Sequence, residues 1–376
     1  MISNVKLQFI NNNGETSMNQ HKKVCENCKK EIEDEVFCKY CRYPTGIHKI
    51  YNITNSELSN SVLDLLSVMK NNISPYNSDS ELDNVFHELV SLYWLRPESA
   101  LFRYVEARFL LKYIGKYMTY PMLDMGCGEG IFTSILFGAK INDIYDNYES
   151  IDMDKNDPYN CYNTIPDDFL IKRPSPIGVG IDIKKNSVRK AKDLGVYDSV
   201  DVGDIRFLPY DNCYFASVYS NMVNDICDDD LHKTFSGVHR VLQDNGFFVF
   251  TTPNQNFLDC MYYHNKHDKN VKKFDKGRSQ WKPRSKSIWK DLSSSVGFEI
   301  VSYVEYGDSD LISFWDTGFR PLFKKLIDFR KYIKEESILD VKKVWIEILK
   351  AYLYQFAESQ YDTDKGGFSV IVMRKI

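Results

Sequence analysis

The sequence predicts an α/β fold built on a doubly wound sheet of seven strands, with a small four-cysteine module before it. Short apolar runs alternate with helical patterns from residue 122 to residue 303, and a glycine-rich turn follows the first of these runs. Two Cys-x-x-Cys motifs stand far upstream. Strands that alternate with helices favour a mostly parallel sheet, because each parallel connection needs a crossover that covers one face.

Each predicted strand is a short apolar run bounded by turn-forming residues. The strands are predicted at Met122–Met125, Ile177–Asp182, Ser199–Val202, Phe215–Tyr219, Gly246–Thr251, Phe298–Tyr303 and Gly367–Met373. The helices between them are predicted at Gly130–Gly138, Ser187–Leu194, Asp230–Leu242 and Ser287–Val296. Together these elements indicate one large domain over residues 97–376.

Three further helical patterns come before or at the start of this domain. Apolar residues recur at helical spacing from Ser56 to about Lys70, and Ser78 and Glu81 form a capping box before the next pattern. A third helix begins near Pro97. Residues 47–96 are therefore predicted to be a helical linker. In the third helix, Arg103 and Glu106 either cover a ligand or lie on a solvated face.

Composition indicates a globular protein and limits its partners. Of 376 residues, 43% are hydrophobic, 14% aromatic and 27% charged, which suffices for a packed core. The net charge of −4 disfavours nucleic acid as a partner without excluding a local basic patch. No apolar run approaches the ~18 residues of a membrane span, and the N-terminus lacks the apolar core of a signal peptide. A cytoplasmic location is expected.

The four-cysteine module is predicted over residues 23–46, after a flexible tail over residues 1–22. Its candidate metal ligands are Cys25, Cys28, Cys38 and Cys41. Four thiolates at this spacing can close a tetrahedral shell around zinc, which leaves no open position for a substrate. A structural or docking role is therefore favoured. A redox role for either motif would need a βαβ context that is absent around residues 25–41.

This module resembles the zinc-ribbon family. Glu31-Ile32 and Phe37-Cys38 match that family's pattern, whereas Lys29 and Arg42 stand where it usually has glycine. The knuckle turns are therefore expected to differ in detail.

Several motifs of the large domain occur in a recognisable order. They are Asp124-x-Gly126-x-Gly128-x-Gly130, Gly180-Ile-Asp182, Gly203-Asp204-Ile205, Leu208-Pro209-Tyr210 and Val241-Leu-Gln-Asp-Asn-Gly246. Together they resemble class I S-adenosylmethionine-dependent methyltransferases of the type 11 group, over roughly residues 97–376. The resemblance implies a Rossmann-like sheet and S-adenosylmethionine as cofactor. It does not indicate the acceptor.

The resemblance also implies roles for individual residues. The backbone of residues 126–130 is expected to wrap the methionyl part of the cofactor, with Asp124 near its ammonium group. Asp182 is expected to accept hydrogen bonds from the ribose hydroxyls, and Asp204 one from the adenine amine. The implied cofactor-binding set is Asp124, Gly126, Cys127, Gly128, Gly130, Asp182, Ile183, Asp204, Ile205, Ser220 and Asn221, with Cys127 as a small filler and with Ser220 and Asn221 facing the methyl donor and the acceptor. For the three aspartates the alternative is a carboxylate that caps a helix or turn.

Two features depart from this family. Residues 139–177 are inserted before the second strand, and their many acidic residues are expected to form a surface loop or an oligomer contact. After the fourth strand, where many relatives carry a histidine, the chain reads Asn221-Met-Val-Asn224-Asp225. A histidine base is therefore not assumed there.

Loops that leave the later strands should select the acceptor, because ligands bind at the carboxyl edge of such sheets. Residues 254–287 contain a dense run of basic residues. We expect them either to form a lid that binds an anionic group of the acceptor or to be a solvated loop. Residues 306–366 are expected to form a helical cap or a dimer surface. Asp225, His264 and His267 are the candidate acid–base residues, with a surface polar role as the alternative for each.

Three functional hypotheses remain. The first is methyl transfer to a small polar metabolite or saccharide. The second is RNA methylation, with the zinc ribbon contributing to substrate recognition. The third is a non-catalytic protein that keeps the fold and uses the ribbon to dock a partner.

Overall fold

The chain divides into two compact units, Met1–Asn52 and Ile53–Ile376. The computed structural model describes residues 23–24, 31–32, 64, 81–149, 151, 164–221, 230–261, 283–318, 322–358 and 365–376. In the first unit these residues form two short antiparallel strands, β1 (Lys23–Val24) and β2 (Glu31–Ile32). The four cysteines of the predicted ribbon lie outside the described residues, as does nearly all of the predicted helix from Ser56 to Lys70.

The second unit is built on a mixed sheet of seven strands. The strands are β3 (Met122–Met125), β6 (Val179–Asp182), β7 (Ser199–Val202), β8 (Phe215–Asn221), β9 (Leu242–Pro253), β10 (Phe298–Tyr306) and β11 (Phe368–Lys375). Their order across the sheet is β10-β11-β9-β8-β3-β6-β7. The five strands from β9 to β7 are parallel, and β11 runs antiparallel to both of its neighbours. The predicted α/β class and the seven strands are confirmed.

This strand order places a crevice at the centre of the sheet. From β3 the chain crosses to β6 on one side, and it later returns to β8 on the other side of β3. The crossovers therefore diverge between β3 and β8. In open α/β sheets, ligands bind outside the carboxyl ends of the strands at such a switch point.

Ten α-helices are described around the sheet and its connections. They are α1 (Glu81–Leu92), α2 (Pro97–Leu110), α3 (Ile131–Leu136), α4 (Lys185–Leu194), α5 (Leu231–Val241), α6 (Asn256–Cys260), α7 (Lys286–Val296), α8 (Ser309–Thr317), α9 (Phe323–Phe329) and α10 (Ile338–Glu358). On one face α1, α2 and α10 pack together and share a large apolar core with the sheet. On the other face α5 and α7 cover a second core that contains Phe235, Phe248 and Trp289. No helix among the described residues is long and apolar enough to cross a membrane.

The insertion differs from the predicted acidic surface loop where it is described. It contains a two-stranded hairpin, β4 (Lys140–Ile141) and β5 (Leu170–Lys172). Asp146 is buried, and its carboxylate accepts hydrogen bonds from Trp94 Nε1, at 3.0 Å, and from Arg330. Asp146 thus binds the helical layer, because burial of a carboxylate needs such partners. Glu149, Asp167 and Asp168 are exposed, as the surface-loop prediction holds. The predicted oligomer contact stays untested.

A buried lysine also fastens the insertion to α10. Lys342 Nζ donates hydrogen bonds to the backbone oxygens of Asp143, at 3.1 Å, and Tyr145, at 2.7 Å.

We expect Lys342→Ala to lower the free energy of unfolding by about 2 kcal/mol, since two carbonyl groups lose their charged donor. Urea denaturation at pH 7 measures this change. Lys343→Ala, at the exposed neighbouring position, is the matched control and should change stability by less than about 0.5 kcal/mol. Equal losses in the two variants would contradict the anchoring role.

Candidate functional site

The glycine turn after β3 has the backbone geometry that its sequence predicts. Gly126, Gly128 and Gly130 have φ angles of 77°, 57° and 76°, values that side chains with a Cβ rarely adopt. The amides of Gly126 and Cys127 donate to the carbonyl of Ile181 at 2.8 and 3.1 Å, which joins the turn to β6. The turn therefore lies at the carboxyl ends of β3 and β6.

The two later glycines of the turn have different surroundings. A Cβ on Gly130 would lie 2.7 Å from the ring of Tyr197, so this glycine allows close packing inside the protein. A Cβ on Gly128 would meet no atom of the described chain within 4 Å. The backbone at Gly128 therefore borders space that no described residue fills. A ligand can approach the main chain closely there.

Asp124 is the penultimate residue of β3, two residues before the first glycine of this turn, and is 1% exposed. Its Oδ2 accepts a hydrogen bond from the Tyr197 hydroxyl at 2.6 Å. Burial raises the pKa of the Asp124 carboxyl to about 6, although hydrogen bonds from Tyr197 and Thr133 oppose this rise. A cationic ligand beside Asp124 would stabilise its ionised form. Tyr197 escapes prediction from the sequence, because it lies 73 residues from Asp124 and no local motif marks it.

Asp182 is the last residue of β6, and its carboxylate accepts hydrogen bonds from both the glycine turn and the loop that follows β6. Its Oδ2 accepts from the amide of Gly128 at 3.0 Å, and its Oδ1 accepts from the amide of Lys184 at 2.8 Å. Each carboxylate oxygen has a further lone pair for another donor. Asp182 therefore caps the turn, as the alternative interpretation holds, and still has the capacity to accept two more bonds. The following residue, Ile183, is 64% exposed and offers an apolar surface beside it.

Asp204 is engaged by a neighbouring arginine. Its carboxylate caps the 3₁₀ turn Ile205–Phe207 by accepting from the amide of Arg206 at 2.9 Å, and it also pairs with the Arg206 guanidinium. This guanidinium holds the pKa of the Asp204 carboxyl below its ordinary value. Ile205 is buried at the same place. The structure thus favours the capping interpretation of Asp204, and the predicted adenine contact stays a prediction.

Ser220 and Asn221, at the end of β8, lie on opposite faces of the sheet, because successive strand residues alternate. Asn221 Oδ1 accepts a hydrogen bond from Arg103 Nη1 at 2.8 Å, and its Nδ2 donates to the Tyr219 hydroxyl at 3.0 Å. Ser220 is fully buried. The structure therefore brings only Asn221 towards the helix α2 that covers this edge.

Arg103 and Glu106 of α2 form an ion pair above this edge of the sheet. Glu106 is fully buried and also accepts a hydrogen bond from the Tyr306 hydroxyl at 3.0 Å. The interpretation as a solvated helix face is therefore wrong for Glu106. Their spacing of three residues could have suggested the pair, but the contact with Asn221 joins residues 118 positions apart.

The remaining predicted site residues divide into two groups. Cys127 packs beside Gly180, and burial raises the pKa of its thiol far above the ordinary value, in keeping with a filler role. The candidate acid–base residues Asp225, His264 and His267 lie outside the described residues, together with most of the basic lid. Among the described residues, no group of three or more His, Cys, Asp or Glu side chains could hold a metal ion.

Residues 172–250 match the sequence profile of a family described as a methyltransferase domain. The matched segment runs from β5 to β9 and includes Asp182, Asp204 and Asn221. The large unit has a Rossmann-like α/β fold, and its segment from β5 to β9 is similar to a methyltransferase domain.

Individual proteins that resemble the chain are distant. A curated protein described as probable polyketide synthase 42, from Dictyostelium discoideum, is 24% identical over 239 residues. The match covers 62% of this chain and only 8% of that protein's length.

Two solved structures resemble the chain at low identity. One, from Thermotoga maritima, is described as an S-adenosylmethionine-dependent methyltransferase and possible histamine N-methyltransferase. It is 14% identical, with a TM-score of 0.41, and the likeness covers 77% of this chain and 99% of that one. The other, the [4+2]-cyclase SpnF, is 13% identical with a TM-score of 0.39, covering 86% and 96%. None of these likenesses identifies the acceptor.

Proposed function

We propose that this chain is an S-adenosylmethionine-dependent methyltransferase that acts on a small polar metabolite or a saccharide. The observation that carries the proposal is the open backbone at Gly128 between two carboxylates, Asp124 and Asp182, at the ends of neighbouring strands. One carboxylate suits an ammonium group, and the other has spare acceptor capacity for a pair of hydroxyls. The exposed Ile183 adds an apolar surface for a purine ring. The residues present therefore fit the cofactor.

The bound cofactor would supply a methyl group already activated on a positively charged sulfur. The protein mainly has to align an acceptor lone pair with that methyl group and exclude water. We assign binding to Asp124, Asp182 and the glycine turn. Asp225, His264 and His267 are the proposed residues for taking a proton from a hydroxyl acceptor, while a neutral amine would need no base.

A metabolite or saccharide acceptor is favoured over RNA by the net charge of −4. The test is a tritiated methyl-transfer screen over metabolite, saccharide and RNA pools, with calorimetric titration of S-adenosylhomocysteine as a separate readout. Label in a small-molecule pool is the expected result, whereas salt-sensitive labelling of RNA would favour the second hypothesis. Absence of cofactor binding would remove the enzyme and leave the partner-docking hypothesis.

We further propose that the four cysteines Cys25, Cys28, Cys38 and Cys41 hold one structural zinc ion, in a ribbon that docks a protein partner or a second copy of the chain. Metal analysis of the purified protein should find about one zinc per chain. Cys25→Ser and Cys38→Ser should each lower that content, and Cys213→Ser, at an exposed free cysteine, should not. Full zinc content in the first two variants would contradict the assignment.

A further inference from the structure

The guanidinium of Arg103 spans the two segments that border the central crevice of the sheet. Its Nη1 donates to Asn221 Oδ1, at 2.8 Å, at the carboxyl end of β8. Its central carbon lies 5.0 Å from the centre of the Phe132 ring, in the first turn of α3 directly after the glycine turn. Arg103 therefore holds a positive charge between the glycine turn and β8.

The residues around Arg103 keep its guanidinium charged and leave two of its nitrogen atoms able to bind a ligand. Burial alone would lower the pKa of the guanidinium, but the fully buried carboxylate of Glu106 raises it above the ordinary value. Only Nη1 has a hydrogen-bond partner within the described chain, and 30% of the side chain is exposed. Nε and Nη2 can therefore donate a forked pair of hydrogen bonds, the arrangement that a carboxylate accepts best.

A carboxylate of opposite charge lies across the same crevice. Asp124 of β3 is the register partner of Tyr219 in β8, and Asn221 follows two residues further along β8. The electrostatic fields of Asp124 and Arg103 both act on the Tyr219 hydroxyl. Thr133 donates a hydrogen bond to Asp124 and Arg103 lies near the ring of Phe132, so a negative and a positive group both contact the first turn of α3. A ligand with an ammonium group and a carboxylate on one carbon would complement both.

We propose that Arg103 binds the carboxylate of the cofactor's methionyl group, with Glu106 and Asn221 as positioning residues that hold the guanidinium. The inference rests on the proposed function, since it assumes that the glycine turn takes S-adenosylmethionine. An anionic group on the acceptor has the same chemistry. The contact with Phe132 favours the cofactor, because it places the guanidinium beside the glycine turn, where the amino-acid end of the cofactor is proposed to lie.

Two nucleosides that differ only at this end of the cofactor provide the test. S-adenosylhomocysteine carries the amino-acid group, whereas 5′-methylthioadenosine lacks it. In calorimetric titrations, Arg103→Ala should weaken S-adenosylhomocysteine binding by about 10-fold to 100-fold. Its affinity for 5′-methylthioadenosine should stay within about twofold of the wild type. Arg103→Lys keeps the charge but loses the fork, so it should fall between the wild type and Arg103→Ala.

Arg108→Ala is the matched control, because Arg108 lies on the same helix and donates to the backbone of Ala357 in α10. It should leave the affinity ratio of the two nucleosides unchanged. Equal weakening of both nucleosides in Arg103→Ala would show a merely structural role and overturn the inference. Binding of S-adenosylhomocysteine by Arg103→Ala within about twofold of the wild type would show that Arg103 does not contact the cofactor and would overturn it as well. A wild-type protein that binds neither nucleoside would refute the proposed function itself.

Discussion

Replacing Asp182 by alanine should weaken the binding of S-adenosylhomocysteine by about two orders of magnitude or more. In the proposed complex, both ribose hydroxyls donate to this carboxylate, and a hydrogen bond to a charged group contributes about 1.5–3 kcal/mol. The same carboxylate accepts from the amides of Gly128 and Lys184. Its removal therefore also loosens the turn that borders the cofactor. Calorimetric titration at fixed pH measures the loss.

Two further variants separate recognition from turn geometry. Asp182→Asn retains one acceptor oxygen at nearly the same volume, and we expect it to weaken binding by about 10-fold. Asp198→Ala removes an exposed carboxylate before the start of β7 and should leave binding unchanged. If Asp182→Ala bound S-adenosylhomocysteine like the wild type, Asp182 would serve only as a cap.

The part of this site that the sequence predicts is the part that depends on local backbone geometry. The three alternate glycines can be recognised because each has a positive φ angle, which glycine adopts without strain. This requirement is local and does not depend on distant residues. The strands are recognisable for a related reason, since their apolar runs must be buried wherever the chain places them. Asp182 is predictable with them because it is the last residue of β6.

Side-chain partners are harder to predict, since they depend on tertiary packing. Arg103 meets Asn221 across 118 residues, and Tyr197 meets Asp124 across 73. Asp204 illustrates a different limit: Arg206, only two residues away, competes for the carboxylate that the family resemblance assigns to adenine. In the insertion, acidic residues suggested solvent exposure, but Asp146 is buried beside Trp94 and Arg330.

Asp124→Asn should make the free protein more stable above pH 6. The pKa of Asp124 rises from 3.8 to about 6 in the folded protein because the carboxyl is buried. Between about pH 4 and pH 6 the unfolded chain ionises this group while the folded protein keeps it protonated. Wild-type stability therefore falls as pH rises through this window, by up to about 3 kcal/mol. The variant lacks this fall, so chemical denaturation from pH 4 to pH 8 should give a flatter profile for it.

The same substitution should weaken cofactor binding, because the proposed ammonium partner loses its charge. Stability above pH 6 and affinity for S-adenosylhomocysteine are thus expected to move in opposite directions in one variant. If Asp124 served only to cap the turn, its substitution would lower the stability of the protein, because the hydrogen bond with Tyr197 would be weakened. Loss of stability without loss of binding in Asp124→Asn would therefore contradict the assigned role. Asp124 is a buried carboxylate, and none of the described residues that contact it is cationic. Its ionised form therefore lowers the stability of the free protein until a cationic ligand binds. For this reason, stability and affinity are expected to change in opposite directions when the charge is removed.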